Sequence, residues 1–177
     1  MTQSLRSIPS RLRVLRPLAL AASLCAAGAP QAAGPVLPSC LQVVQGQASL
    51  QTSGRSLTVT NSAGALLNWQ QFSIGAGDAV RFVQPSASSK VLNRVVGQDP
   101  SQIFGSLSSN GQVWLLNPNG VLFGASARVD VGGLVASTLR LDDEAWRAGL
   151  ASGRFSLGGA ADGAYGAGVV NQGELRS

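Results

Sequence analysis

The sequence contains few of the residue types that enzymes and metal centres use. It has no histidine, which excludes Ser-His-Asp and Cys-His nucleophiles and histidine-ligated zinc. Its two cysteines, Cys25 and Cys40, are too few for a thiolate metal site. The eight acidic residues are scattered along the chain, whereas a glycan lyase or glycosidase needs paired carboxylates on one face. We therefore predict that the chain is not an enzyme and that it binds no cofactor or metal.

The first 33 residues are predicted to be a secretory signal peptide. An apolar run over residues 17–27 is followed by small residues up to Gly34 and is preceded by Arg6, Arg11, Arg13 and Arg16. This order of basic, apolar and small residues is typical of export through the Sec translocon. The run is shorter than the roughly 20 apolar residues of a transmembrane helix. We expect cleavage after Ala32 or Ala33 and leave both sites open.

Loss of this leader removes most of the excess positive charge. The whole chain has a formal charge of +5, but from residue 34 onward nine basic residues face eight acidic ones. No basic patch with interleaved aromatic residues remains to attract nucleic acid. Cys25 would leave with the leader, so we expect the mature domain to contain Cys40 alone and no internal disulfide.

From Val43 onward the pattern is that of many short strands. Residues 56–60 and 127–131 alternate polar and apolar side chains, and the second segment places Arg128 and Asp130 on one face. The other predicted strands are 66–67, 78–83, 90–96, 112–116, 121–123 and 154–157. Glycine-rich turns separate them, which indicates an all-β domain. A sandwich, a barrel and a solenoid all remain open on strand number, and the short strands favour the solenoid.

One segment predicts a helix. Asp142, Asp143 and Glu144 suit the positive N-terminal end of a helix dipole, and Arg147 followed by Gly149 suits its C-terminal end. We predict a short helix over residues 141–148 that ends at Gly149 and lies on the β body. Its acidic residues are expected to be a solvated helix start and not a catalytic cluster.

The segment Asn117-Pro118-Asn119-Gly120 fits a type I turn position by position. Asparagine is favoured at the first position, proline at the second and glycine at the fourth, and asparagine is tolerated at the third. Apolar residues flank the turn at 113–116 and 121–123. The turn is therefore expected to join two buried strands.

Six segments, taken in order, resemble a known family. They are residues 74–77 (IGAG), 80–86 (VRFVQPS), 92–95 (LNRV), 103–107 (IFGSL), 110–121 (NGQVWLLNPNGV) and 132–139 (GGLVASTL). Together they resemble the haemagglutination-activity domain, which is the N-terminal secretion domain of filamentous-haemagglutinin-like exoproteins in two-partner secretion. The resemblance covers about Val43 to Arg176.

The resemblance implies a right-handed parallel β-helix with N-terminal capping strands over residues 34–177. It also implies a partner, an outer-membrane β-barrel transporter whose periplasmic POTRA domains recognise the domain. The protein would then be secreted or displayed at the cell surface, with this domain nucleating β-helix folding outside. Asn117, Pro118, Asn119 and Gly120 correspond to the family's second Asn-Pro-Asn motif and are the candidates for transporter recognition.

The first family motif, Asn-Pro-Asn-Leu in many members, departs from that form here. Gln84, Pro85 and Ser86, followed by Ala87, occupy its place, which argues against an asparagine-specific role at this site. We take these three residues, with Asn93 and Arg94, as a secondary candidate site.

The alternative function is that of an adhesin or haemagglutinin module that binds host glycans or proteins directly. Exposed Trp69, Trp146 or Tyr165 would stack on sugars in that case, but we expect these aromatic residues to lie in the core or against the helix. Residues 168–177 predict a strand, a turn and the start of another strand, without a cap. We therefore expect the front of a longer exoprotein, or a truncated relic of one, in which a missing passenger would carry any host-surface ligand.

Overall fold

The computed structural model describes residues 34–160 and 167–177. The predicted signal peptide and Tyr165 lie outside these residues. The described part of the chain contains sixteen strands and one helix. In this part of the chain, no helix has the length and apolar character needed to cross a membrane.

Three sheets run along the molecule, and the chain passes through them in turn. Sheet A consists of β1 (Ser39–Gln45), β4 (Ala65–Gln71), β6 (Lys90–Val95), β9 (Gln112–Leu116) and β12 (Gly133–Ser137). Sheet B consists of β2 (Ala48–Ser53), β3 (Ser56–Asn61), β5 (Ala79–Val83), β8 (Ser106–Ser109), β11 (Arg128–Asp130) and β16 (Glu174–Arg176). Sheet C consists of β7 (Ser101–Ile103), β10 (Val121–Phe123) and β15 (Val169–Asn171).

Parallel pairing in register stacks like side chains in columns along the interior. Leu57, Val80, Leu107, Val129 and Leu175 occupy equivalent positions in successive strands of sheet B. The first four are buried, whereas Leu175 in the last strand is 40% exposed. The chain therefore forms a β-solenoid of about four turns, which confirms the expected parallel β-helix.

The first coil is capped by antiparallel strands. β1 pairs antiparallel with β4, and β2 pairs antiparallel with β3, whereas the other strand pairs of the three sheets are parallel. These two strands confirm the expected N-terminal capping strands. Cys40 lies in β1, is exposed and is a free cysteine in the left-handed backbone region, with φ of 53°.

An excursion leaves the fourth coil after β12. β13 (Leu139–Arg140) and β14 (Gly158–Ala160) pair antiparallel, and α1 (Asp143–Ser152) lies between them in sequence. Asp142 is the N-cap of α1, and its Oδ1 accepts a hydrogen bond from Ala145 N at 2.7 Å. The excursion confirms the predicted helix but not its bounds.

Two predictions for this segment, the end of the helix and a strand over residues 154–157, are wrong. The helix does not end at Gly149, which is buried within α1; it ends at Gly153, whose φ of 74° suits a C-cap. Gly149 serves packing instead, because a Cβ there would overlap the ring of Phe155. Residues 154–157 are not a strand. Their apolar alternation arises because Phe155 and Leu157 pack against the outer face of sheet A.

The pattern also left several strands unpredicted. β7 and β8 are short and rich in serine, and β1 and β2 expose most of their side chains. Gly133, predicted to lie in a turn, begins β12. In each case the strand forms because a neighbouring coil or the first coil supplies a ladder partner, and local propensity does not report that partner.

The segment before β1 is held by a buried carboxylate. Val36 N donates a hydrogen bond to Asp78 Oδ2 at 2.7 Å, and Gly75 N donates to Val36 O at 2.9 Å. Arg55 Nε lies 2.8 Å from Asp78 Oδ1, with the Asp78 side chain fully buried and that of Arg55 half-exposed. Asp78 therefore joins the N-terminal segment to the first coil.

We expect Asp78→Ala to lower the free energy of unfolding by about 2 kcal/mol, because Val36 N and Arg55 both lose a charged acceptor. The segment before β1 should also become sensitive to protease. Urea denaturation and limited proteolysis check both effects. Asp130→Ala is the matched control, since Asp130 is exposed on β11. Equal unfolding midpoints for the two variants would contradict the assigned role of Asp78.

Candidate recognition surface at the Asn-Pro-Asn-Gly turn

The Asn-Pro-Asn-Gly segment forms the corner between β9 in sheet A and β10 in sheet C. Gly120 N donates to Asn117 O at 3.0 Å, which closes a four-residue turn and confirms the predicted turn. Gly120 has a φ of 112°, a region that side-chain-bearing residues rarely adopt. Glycine at the fourth position is therefore required by the backbone.

Asn117 is fully buried beneath this turn. Its Nδ2 donates to Asp99 O and to Ser101 Oγ, both at 3.0 Å. Its Oδ1 accepts from Asn119 N at 2.9 Å. The Asn117 side chain therefore ties the turn to the equivalent corner of the preceding coil and also shapes the turn itself.

Asn119 and the turn backbone extend this network in both directions. Asn119 Nδ2 donates to Gly97 O at 2.9 Å in the preceding coil. Asn117 N donates to Ser137 O at 3.0 Å in the following coil. Both asparagine side chains are thus occupied by partners within the domain, and what the motif presents to a partner is mainly the shape of the corner.

The outer side of this corner is one wall of an open groove of about 520 Å³. Pro118 and Asn119 line the groove on the turn side. Buried Leu116 and Leu141 provide an apolar surface, and Arg140 lies on the excursion side. The groove is therefore formed by coil corners and by the excursion together.

Two arginines and Asp142 are the charged residues that line the groove. Arg94 donates from Nε to Asn68 Oδ1 at 2.9 Å, and its Nη1 lies 2.9 Å from Asp143 Oδ1 at the start of α1. Its charge is therefore already matched. Arg140 is exposed and, within residues 34–160 and 167–177, has no carboxylate within salt-bridge distance. Asp142 also lines the groove, so among the described residues Arg140 is the groove arginine without a salt-bridge partner, and a carboxylate lies in the same lining.

Asn93 lies next to Arg94 in β6 but faces the interior, as strand alternation requires. It is fully buried. Its Oδ1 accepts from Trp69 Nε1 at 3.0 Å, and its Nδ2 donates to Trp114 O at 3.2 Å. Asn93 therefore satisfies a buried indole and a strand carbonyl, and it does not reach the groove.

Gln84, Pro85 and Ser86 lie at a different corner, between sheets B and A. Gln84 N donates to Asn110 Oδ1 at 2.8 Å, and Asn110 Nδ2 donates to Gln84 O at 2.7 Å. Gln84 Nε2 also donates to Gln112 O at 3.0 Å in the next coil. Glutamine here joins successive coils as Asn117 does at its own corner, while Pro85 and Ser86 are exposed.

The structure therefore brings together only part of the predicted site. Arg94, Pro118 and Asn119 share the groove, whereas Asn93 and the Gln84 corner do not line it. Gly97 and Arg140 also line the groove, and the sequence motifs did not predict them. No local signal marks Arg140, because its position depends on how the excursion folds back.

Two of the three aromatic residues considered for sugar stacking, Trp69 and Trp146, are located as expected for core residues, and Tyr165 lies outside the described residues. Trp69 and Trp146 are both fully buried. Trp69 Nε1 donates to Asn93 and Trp146 Nε1 to Gly64 O at 3.0 Å. Neither indole is available to a glycan. Sugar stacking by these two residues therefore does not support the adhesin alternative.

Comparison with known proteins identifies the family. Residues 35–163 match the family model described as the TPS secretion domain. The chain belongs to the TPS secretion domain family. It is accordingly the secretion domain of a two-partner secretion exoprotein, a non-catalytic kind of domain, and its family implies secretion with a two-partner transporter.

Relatives of this TPS secretion domain come from Haemophilus influenzae. The solved HMW1 secretion domain is 37% identical, with a TM-score of 0.72, and the match covers 77% of this chain and 35% of that one. Two heme/hemopexin-binding proteins are 40% identical over 116 residues and 37% identical over 117 residues. Each match covers 65% of this chain, which spans only 13% of the length of either relative.

Proposed function

We propose that this TPS secretion domain is recognised by the periplasmic POTRA domains of an outer-membrane β-barrel transporter and that it nucleates β-helix folding outside the cell. The observation that carries the proposal is the groove beside the Asn-Pro-Asn-Gly turn. The Asn-Pro-Asn-Gly motif forms one wall of this groove, while the side-chain amide of Asn117 is occupied by hydrogen bonds within the domain. The transporter would therefore recognise the outer corner, Pro118 and Asn119, together with Arg140.

The proposed route begins with the leader, residues 1–33, which directs the chain through the Sec translocon into the periplasm. Charged residues make up only 12% of the chain, and Cys40 has no disulfide partner. A chain of this kind crosses a narrow pore without covalent cross-links to break. Export then places residues 34–177 outside the outer membrane.

The last coil supports the proposed role in folding. β15 and β16 each form one edge of their sheets, and Leu175 continues the buried sheet B column but is partly exposed. A further coil of a longer exoprotein would pair with these edges and bury Leu175. Because stacked coils gain stability from each added neighbour, folding would proceed from this domain onward.

Export with and without the transporter tests the proposed function. In cells that produce the cognate transporter, the protein should appear in the medium; without it, the protein should remain in the periplasm. We expect Arg140→Glu to reduce the secreted fraction severalfold, because it replaces the groove's unpaired guanidinium with a second carboxylate beside Asp142. Arg81→Glu on the exposed face of β5 is the matched control and should be secreted normally.

Two outcomes would contradict this proposal. The first is equal secretion in cells with and without the transporter. The second concerns a longer exoprotein from which residues 43–176 have been deleted. We expect that exoprotein to be trapped in the periplasm; if it is exported but no longer binds host surfaces, the domain is an adhesin module.

A further inference from the structure

The outer face of sheet A carries a column of apolar side chains. Leu66, Leu92, Trp114 and Val135 are register partners in β4, β6, β9 and β12. Leu66 and Leu92 are fully buried and Trp114 is 8% exposed, although all three point away from the solenoid interior. They form a second hydrophobic cluster, separate from the interior one.

The cover over this column is the segment of residues 141–157, which we call the strap. It consists of Leu141, α1 and the chain up to Leu157, all of which contribute to the second cluster. Three aromatic rings meet where the strap contacts sheet A. The ring centroid of Trp114, in β9, lies 5.5 Å from that of Trp146 and 4.5 Å from that of Phe155. The strap therefore covers a sheet face that would be exposed to solvent if the coils stood alone.

Polar contacts fasten the strap to parts of the chain that are far apart in sequence. Trp146 Nε1 donates to Gly64 O at 3.0 Å, at the start of the first coil's sheet A strand. Arg94 in the second coil donates from Nη1 to Leu141 O at 3.2 Å. Arg147 Nε donates to Gln45 Oε1 at 2.9 Å in the capping strand β1. Trp114 adds a contact in the third coil.

This arrangement differs from ordinary solenoid packing, in which each coil contacts only its neighbours and stability is a sum of local terms. We propose that the strap is a folding lock, which closes only when the cap and the first three coils are all in place. Once the strap has docked, the cap and these coils unfold as one cooperative unit. This inference concerns folding of the domain alone and goes beyond recognition by the transporter.

The strap is also the element that should close last. Among the residues of α1 only Trp146 and Gly149 are buried, whereas each coil buries side chains from several strands. An element with few buried contacts opens at a smaller free-energy cost than the core to which it docks. In an exported chain the lock would therefore act only after residues up to 157 have left the transporter.

Hydrogen exchange of the purified protein, followed by mass spectrometry, tests the lock. We expect Trp146→Ala to accelerate amide exchange in β4, β6 and β9 together by about tenfold or more, and to broaden the urea transition. Leu107→Ala is the control, because Leu107 is buried in the interior column away from the strap. It should lower the unfolding midpoint while one sharp transition remains.

A second variant keeps the test decisive if Trp146→Ala does not fold. Trp146→Phe retains an aromatic ring but removes the hydrogen bond to Gly64 O, and should accelerate exchange in β4 more than in β9. Acceleration confined to α1 and residues 153–157 in these variants would overturn the proposal. So would a refolding experiment with pulsed exchange in which α1 reaches native protection before β4, β6 and β9 do. Neither assay involves a transporter, so its outcome is independent of the export test.

Discussion

Asn117→Ala should lower the free energy of unfolding by about 3 kcal/mol, since it leaves several buried groups without a partner. Asp99 O and Ser101 Oγ lose their donor, and Asn119 N loses its acceptor. Because Asn117 is fully buried, water cannot replace the missing amide without opening the corner. Urea denaturation followed by circular dichroism measures the loss.

Asn119→Ala provides the matched comparison within the same turn. Asn119 is only half-buried and contributes one side-chain bond to the preceding coil, to Gly97 O, so we expect a loss of about 1 kcal/mol. Equal losses for the two variants would contradict the assignment of Asn117 as the buried centre of the corner.

The same pair of variants separates folding from recognition. If Asn117 acts only by shaping the corner, the secreted fraction of Asn117→Ala should recover when stabilising conditions restore the fold. A folded Asn117→Ala protein that the transporter still fails to export would show that the asparagine is recognised directly. Arg140→Glu should show the opposite behaviour, with normal stability and reduced export.

Gly105→Ala is expected to destabilise the domain by about 3 kcal/mol, because the added methyl group meets backbone and not a flexible side chain. Gly105 lies between β7 and β8, and a Cβ there would overlap the carbonyl oxygens of Asp78 and Gly75. Ser106 N donates to Asp78 O at 2.9 Å, so the crowded carbonyl is also part of the contact between coils. Relief of the overlap would separate two stacked corners.

Gly159→Ala is the control for this substitution. Gly159 lies in β14, and no heavy atom of residues 34–160 and 167–177 beyond its chain neighbours lies within 4 Å of an added Cβ. The free energy of unfolding of Gly159→Ala should therefore stay within about 0.5 kcal/mol of that of the parent protein. The comparison uses urea denaturation of both variants at equal protein concentration. A tolerated Gly105→Ala would mean that the corner between β7 and β8 is looser than the close backbone approach indicates.

Strands with alternating or continuously apolar side chains could be predicted from the sequence alone. β9 and β10 have the predicted bounds, β3 extends one residue beyond its predicted end, and β11 is one residue shorter than predicted at each end. The turn at Asn117 was also predictable, because proline and glycine restrict the backbone locally. β7 and β8 were not, since their serine-rich residues become strands only through pairing with the neighbouring coils.

The candidate site shows the same division. The order of the motifs in the sequence indicates the Asn-Pro-Asn-Gly turn and also Asn93 and Arg94. It does not show that Asn93 is buried in the core while Arg94 reaches Leu141 O, 47 residues away, and Asp143 at the start of α1. A one-residue step along a strand reverses the direction of a side chain, and only the register decides which residue faces out.

The all-β class and the turn motif thus follow from local patterns, because alternation and turn chemistry act over a few residues. The resemblance of six segments to a known family, and not the local pattern, indicated the β-helix and the secretion role. The groove and the strap depend on contacts that span many residues, such as Trp146 to Gly64 across 82 positions. Such contacts leave no periodic trace, since each partner looks ordinary in its own segment. Tertiary packing alone brings Arg140 beside Pro118 and covers the outer face of sheet A.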